Sequence, residues 1–149
     1  MSVTTLVARV THSPEETVRL GREIASHLQP PCLALLEGDL GAGKTTLVKG
    51  IVAGLGVASE DEVTSPSFTL VHEYGTNVFH ADLYRIEGAR DLSTLGLEDL
   101  TREPSTLLVE WGEKLGHDAP RPCLRISIEH RGGDDRRIVV EKVTANSSE

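Results

Sequence analysis

The chain has 149 residues, with 15 Lys and Arg against 23 Asp and Glu, for a net charge of −8. That length predicts one domain with a real core. The acidic balance argues against tight, unaided binding to an RNA or DNA backbone, because little counterion release is on offer; the 11 arginines still leave room for a local basic patch. No run approaches the about 18 apolar residues of a membrane helix, and the start, Met1-Ser2-Val3-Thr4-Thr5-Leu6, lacks the basic flank and apolar stretch of a signal peptide. Cys32 and Cys123 are the only cysteines, each following a proline at the head of an apolar run. Buried thiols in a cytoplasmic protein are expected of them, not a disulfide.

Taken in order, residues 3–10 are β-branched and extended. Ser13-Pro14-Glu15-Glu16 then reads as a helix start, with Ser13 as N-cap, Pro14 in the first turn and Glu16 closing a capping box. Val18, Leu20, Ile24, Ala25 and Leu28 give that helix an apolar face, and Pro30-Pro31 ends it. Cys32-Leu33-Ala34-Leu35-Leu36-Glu37 is a short apolar run, as expected of a strand buried on both faces. Directly after it comes Gly38-Asp39-Leu40-Gly41-Ala42-Gly43-Lys44-Thr45, a full G-x-x-x-x-G-K-[ST] loop with a second hydroxyl at Thr46. Leu47, Val48, Ile51, Val52 and Leu55 recur at helical spacing, and Gly54 and Gly56 supply a stop.

Residues 57–66 read as a polar loop. Two strand-like segments follow, 68–74 and 78–82, and the Gly75-Thr76-Asn77 turn between them predicts an antiparallel hairpin. A helical stretch rich in Leu and Asp, about 88–101, precedes another strand, Thr106-Leu107-Leu108-Val109-Glu110. Residues 124–130 and 136–143 alternate in period two around Arg131-Gly132-Gly133-Asp134-Asp135, a second hairpin signal. The expectation is an α/β protein of the P-loop NTPase type: a mixed, mostly parallel sheet flanked by helices, with antiparallel hairpins. One domain would span residues 1–143, and 144–149 would form a flexible tail.

The loop has a definite chemistry. Its glycines let the backbone fold into a nest of N–H donors around phosphate oxygens. Lys44 would reach the β- and γ-phosphates, and the Thr45 hydroxyl would bind magnesium. The positive end of the helix beginning here adds to the attraction for anions. The motif alone occurs by chance in roughly one chain of this length in a few hundred, but strand, glycine loop and helix in that order are the context it needs.

Such a loop also needs an acid to hold or orient magnesium and the attacking water, and in sheets of this kind that acid lies at the carboxyl end of a strand. Glu110 and Asp82 both end predicted strands. Trp111, the only tryptophan, would pack against the nucleotide site or anchor the core. His80 reads as a hydrogen-bonded strand residue in preference to a ligand, and no second His or Cys stands at a zinc-ligand spacing. Thr64-Ser65-Pro66-Ser67 has the place and composition of a switch segment that senses the γ-phosphate, or of an ordinary polar loop stiffened by proline.

Four pieces, in this order and at these spacings, resemble the bacterial TsaE family, the small ATPase of tRNA threonylcarbamoyladenosine biosynthesis. They are Gly38 to Thr46, Ser65-Pro66-Ser67-Phe68-Thr69-Leu70-Val71, His80-Ala81-Asp82-Leu83-Tyr84-Arg85 and Val109-Glu110-Trp111. The resemblance implies that Gly38, Asp39, Leu40, Gly41, Ala42, Gly43, Lys44, Thr45 and Thr46 bind ATP phosphates, with Trp111 beside the site. It implies that Thr45 and Glu110 are Mg2+ ligands, that Asp82 is an acid needed for activity, and that Ser65 to Phe68 form the switch. Adenine contacts would come partly from the segment near Ser13 to Thr17. Ser67, where many members carry Thr, keeps the hydroxyl; Ala81, where a larger apolar residue is common, alters packing.

The implied role is support of a TsaB–TsaD complex that transfers a threonylcarbamoyl group to adenosine 37 of tRNA, with tRNA met only indirectly. The implied mechanism is ATP hydrolysis in which Lys44, Asp82 and Glu110 take part, weak alone and stimulated by the partner. The net charge of −8 suits a protein that acts on other proteins. A small-molecule or nucleoside kinase would need a substrate pocket and an arginine-rich lid for which there is little length. A GTPase would need an Asn-Lys-x-Asp segment, which does not occur. A nucleotide-responsive binding module without useful hydrolysis stays open on sequence alone.

Overall fold

Among the described residues, apolar residues at period two and at period 3.6 assemble into one seven-stranded sheet with two helices on one of its faces. The computed structural model describes residues 2–39, 43–64, 71–75, 77–83, 105–112 and 122–144. In chain order these form β1 (Ser2–Thr11), α1 (Pro14–Ala25), β2 (Cys32–Glu37), α2 (Lys44–Gly54), a 3-10 turn (Glu60–Glu62), β3 (Val71–Tyr74), β4 (Val78–Asp82), β5 (Thr106–Glu110), β6 (Cys123–His130) and β7 (Arg136–Thr144).

The strand order is β1-β7-β6-β2-β5-β4-β3. β2 runs parallel to both β5 and β6, and β5 runs parallel to β4. The expected hairpins form the flanks: β3 pairs antiparallel with β4, and β7 pairs antiparallel with β6 and β1. The sheet is therefore mixed, with a parallel quartet at its centre. Sequence texture follows position: Leu33 to Leu36 of β2 and Leu107 to Val109 of β5 are buried without alternation, as strands covered on both faces must be. β7 alternates between buried and partly exposed residues instead.

On one face Leu20 and Ile24 from α1, Leu28 just after it, and Leu47, Val48, Ile51 and Val52 from α2 pack on Ala34, Leu36, Leu108 and Ile126. The opposite face buries Leu33, Leu35, Ala81, Leu107, Val109 and Cys123. The two helices meet through glycines. A Cβ on Gly21 would stand 2.5 Å from the Leu47 carbonyl oxygen, and one on Gly50 would run into the Val18 carbonyl. Gly54, the last residue of α2, lies against Ala25 and Arg22, and the helix exits through Gly56 at φ +75.

Ser13 caps α1 by accepting from the Glu16 N–H at 3.1 Å. The other half of the expected capping box differs: the Glu16 carboxylate accepts from the His12 N–H, one residue before the cap. Residues 57–64 are less irregular than a plain polar loop. Ser59 and Glu62 make a reciprocal capping box around the 3-10 turn, and Glu60 pairs with Arg22 of α1. Both cysteines are free, Cys123 buried and Cys32 half-buried. Neither described helix is long and apolar enough to cross a membrane. The expected helix at 88–101, most of the switch segment and residues 145–149 of the expected tail lie outside the described residues.

Candidate functional site

Three parallel strands deliver the site. β2 leads into the glycine loop, and its Leu36 is in register with Glu110 of β5, which is in register with Asp82 of β4. Loop and acids therefore meet at the carboxyl edge of the sheet, where ligands of such folds bind. Period two decides which way the acids point. Leu108 and Val78 belong to the core beneath the helices, so Glu110 and Asp82, two and four residues on, face that side too. They lie one strand spacing apart, about 4.8 Å, and both are buried, Glu110 at 3% exposure and Asp82 at 5%.

Gly43 stands at the head of α2 with φ +106, a conformation that admits glycine and resists other residues. Its carbonyl accepts the Leu47 N–H at 3.0 Å. Lys44 is buried and curls back over the loop: its Nζ donates to the carbonyls of Gly38 at 2.6 Å and Asp39 at 3.0 Å. The same ammonium stands 4.0 Å from the centre of the Trp111 ring, a cation–π contact. Trp111 is the one described non-glycine residue with positive φ, at 62°. Such a conformation costs about 1–3 kcal/mol and persists where surroundings enforce it. Gly112 follows because a Cβ there would stand 2.5 Å from Leu35 Cβ.

Thr45 joins the loop to the acids. Its hydroxyl lies 3.0 and 2.9 Å from the two oxygens of Glu110 and donates to that carboxylate. His80 closes on the same carboxylate, with Nε2 2.5 Å from Oε2 and no exposed surface. The strand-residue reading of His80 holds, and its partner is the strand-end acid. Tyr74 stacks on the His80 ring at 6.5 Å between centroids. Burial raises the Tyr74 phenol above its usual range, opposed by a hydrogen bond from the Thr64 backbone.

Lys44, Thr45, Glu110, Asp82 and Trp111 thus come together, with Gly38, Asp39 and Gly43 around them; Leu40, Gly41 and Ala42 lie outside the described residues. Thr46 lines a cavity of about 440 Å³ between α1 and α2, along with Pro14, Glu15, Val18, Arg19 and Lys49. Within the segment expected near adenine, the Thr17 hydroxyl is already bonded to Thr11 at 2.7 Å and buried. Ser13 is engaged as the cap. Sequence reading missed Arg136, whose Nε would lie 3.8 Å from a Cβ placed on Gly43. It also missed the His12–Asp135 pair beside it, in which the carboxylate's hydrogen bond and charge raise the imidazole. The glycine-rich hairpin tip signalled a turn and gave no hint that Arg136, just after it, approaches Gly43.

Residues 11–139 match the family model described as threonylcarbamoyl adenosine biosynthesis protein TsaE. A Bacillus subtilis protein named tRNA threonylcarbamoyladenosine biosynthesis protein TsaE is 38% identical over 136 residues, 89% of this chain and 84% of the relative. A Treponema pallidum protein of the same name is 32% identical, covering 88% of this chain and 97% of its own length. A Streptomyces coelicolor protein, also so named, is 39% identical over 77% of this chain and 80% of the relative. The crystal structure of Bacillus subtilis YdiB superposes with a TM-score of 0.75 at 34% identity, over 96% of this chain and 88% of that one.

Proposed function

The chain belongs to the TsaE family of tRNA threonylcarbamoyladenosine biosynthesis, and from that premise we propose that it is a magnesium-dependent ATP hydrolase. Its ATP turnover would serve a TsaB–TsaD-like protein complex, and tRNA would meet the partners, not this chain. The observation that carries this reading is the convergence of the Thr45 hydroxyl and both Glu110 oxygens within 3.0 Å at the head of the glycine loop.

The donor set suits the ion. Magnesium takes hard oxygen ligands, commonly one or two from the protein, with waters and nucleotide phosphates completing the shell. A threonine hydroxyl and a buried carboxylate fit that pattern, and among the described residues no group of His, Cys, Asp and Glu forms a rival metal site. Bound there, magnesium would neutralise charge on the β- and γ-phosphates. Lys44 supplies the other positive charge by exchanging its bonds to the Gly38 and Asp39 carbonyls for phosphate oxygens. Gly43 and the loop amides orient the chain of phosphates. Asp82, one strand from Glu110 and nearly as buried, is positioned to orient a water for attack on the γ-phosphorus. The indole of Trp111 walls the lysine from solvent.

Calorimetry tests the site. ATP should bind more tightly with magnesium than without it, and GTP should bind poorly. Lys44→Ala should abolish magnesium-ATP binding. Undiminished binding by that variant would remove the loop from the account.

A further inference from the structure

We infer that His80 is a positioning residue for the magnesium-holding pair: its Nε2–H fixes the Glu110 carboxylate in the orientation it shares with Thr45. This rests on the magnesium-nucleotide reading above and adds a residue to it. His80 lies in the middle of β4, in register with Leu108 of β5, two residues before Asp82 and on the same face. A fully buried position at the centre of a sheet is ordinarily filled by an aliphatic side chain. Here the imidazole has no exposed surface, and its Nδ1 has no hydrogen-bond partner among the described residues. Packing does not repay an unsatisfied buried nitrogen; the bond from Nε2 to Glu110, at 2.5 Å, is what the ring supplies.

The arrangement is braced from behind. Tyr74 stacks on the imidazole at 30° between planes, and its hydroxyl contacts His72 Nδ1 at 3.4 Å. With the ring held, Glu110 Oε2 receives the His80 N–H and the Thr45 O–H together. The carboxylate's rotation is therefore set before any nucleotide arrives. Groups that orient a metal's own ligands in this way commonly set affinity by 10- to 100-fold. Removing the His80 bond frees the carboxylate to rotate and should weaken magnesium, while leaving metal-free nucleotide contacts in place.

The test compares His80→Leu, which fills the space without a donor, with His80→Gln, whose amide N–H reaches the place of Nε2. Magnesium is titrated into protein with saturating ATP, followed by the fluorescence of Trp111, the only tryptophan. The expected result is a magnesium dissociation constant raised at least about tenfold in His80→Leu and largely restored in His80→Gln, with metal-free ATP binding close to wild type in both. Equal magnesium affinity in wild type and His80→Leu would overturn the inference, as would equal losses in both variants. A wild-type protein indifferent to magnesium would instead bring down the magnesium reading on which it depends. Nitrogen-15 spectra of the wild-type imidazoles give a second readout that needs no variant to fold: the Nε2–H tautomer at His80, shifting on addition of magnesium-ATP, is expected. The Nδ1–H tautomer would overturn the inference.

Discussion

Glu110 accepts from Thr45 on both oxygens and from His80 on one, while 3% exposed. Truncation to alanine strands a buried imidazole N–H and the Thr45 hydroxyl, and stranded donors cost about 1–3 kcal/mol. Glu110→Ala should therefore lower the unfolding free energy measured in urea by that amount, and Glu110→Gln, which keeps an acceptor, by less than half as much. An unchanged free energy in Glu110→Ala would mean the cluster contributes nothing to the fold. Burial also governs the cysteines, pushing the Cys32 thiol up to about 11 from an ordinary 9.0. At pH 8 the thiolate fraction falls roughly a hundredfold, so iodoacetamide should label native Cys32 about that much more slowly than unfolded chain. Equal rates would contradict the burial of that strand end. At this scale the acids were legible because each closes an apolar strand. The His80–Glu110 bond was not, because it depends on the register of β4 against β5, which no local pattern encodes.

The helix that follows the loop is seated against a second helix. α1 and α2 approach closely enough that Gly21 and Gly50 leave no room for a Cβ, so the helix that begins with Lys44 and Thr45 is packed tightly against its neighbour. Gly50→Ala gains about 1 kcal/mol of helix propensity yet drives a methyl into the Val18 carbonyl. Overpacking against backbone should win, for a net loss on the order of 2 kcal/mol in urea unfolding. A stabilised variant would show that the helices can separate freely. The elements themselves were readable: β2, β4 and β5 follow their apolar runs, and Ser13 caps α1 as its sequence predicts. The glycine contact was not readable, since a glycine inside a helix is equally a weak spot until the crossing partner is known. The Ser59-Glu60-Asp61-Glu62 box carried a signal within a segment dominated by charge.

Across the whole molecule, the parallel quartet β6-β2-β5-β4 sets the chemistry at one edge, and antiparallel strands finish the sheet on both sides. The sequence announced two hairpins but not that β1 would pair with β7 and so bring His12 against Asp135 at the hairpin tip. Long-range order of this kind arises from burial of whole faces. The acidic balance, −8 over the chain, suits the proposed role, in which the nucleotide site would act on protein partners that handle the RNA. Weak hydrolysis alone and strong hydrolysis in company is therefore the central expectation. The most direct measurement is phosphate release from magnesium-ATP by the purified chain, with and without a TsaB–TsaD complex. Release should be slow alone, should rise at least about tenfold with the complex, a barrier change of about 1.4 kcal/mol or more, and should be lost in Asp82→Ala. Fast release by the isolated chain, indifferent to the complex and to Asp82, would contradict that expectation.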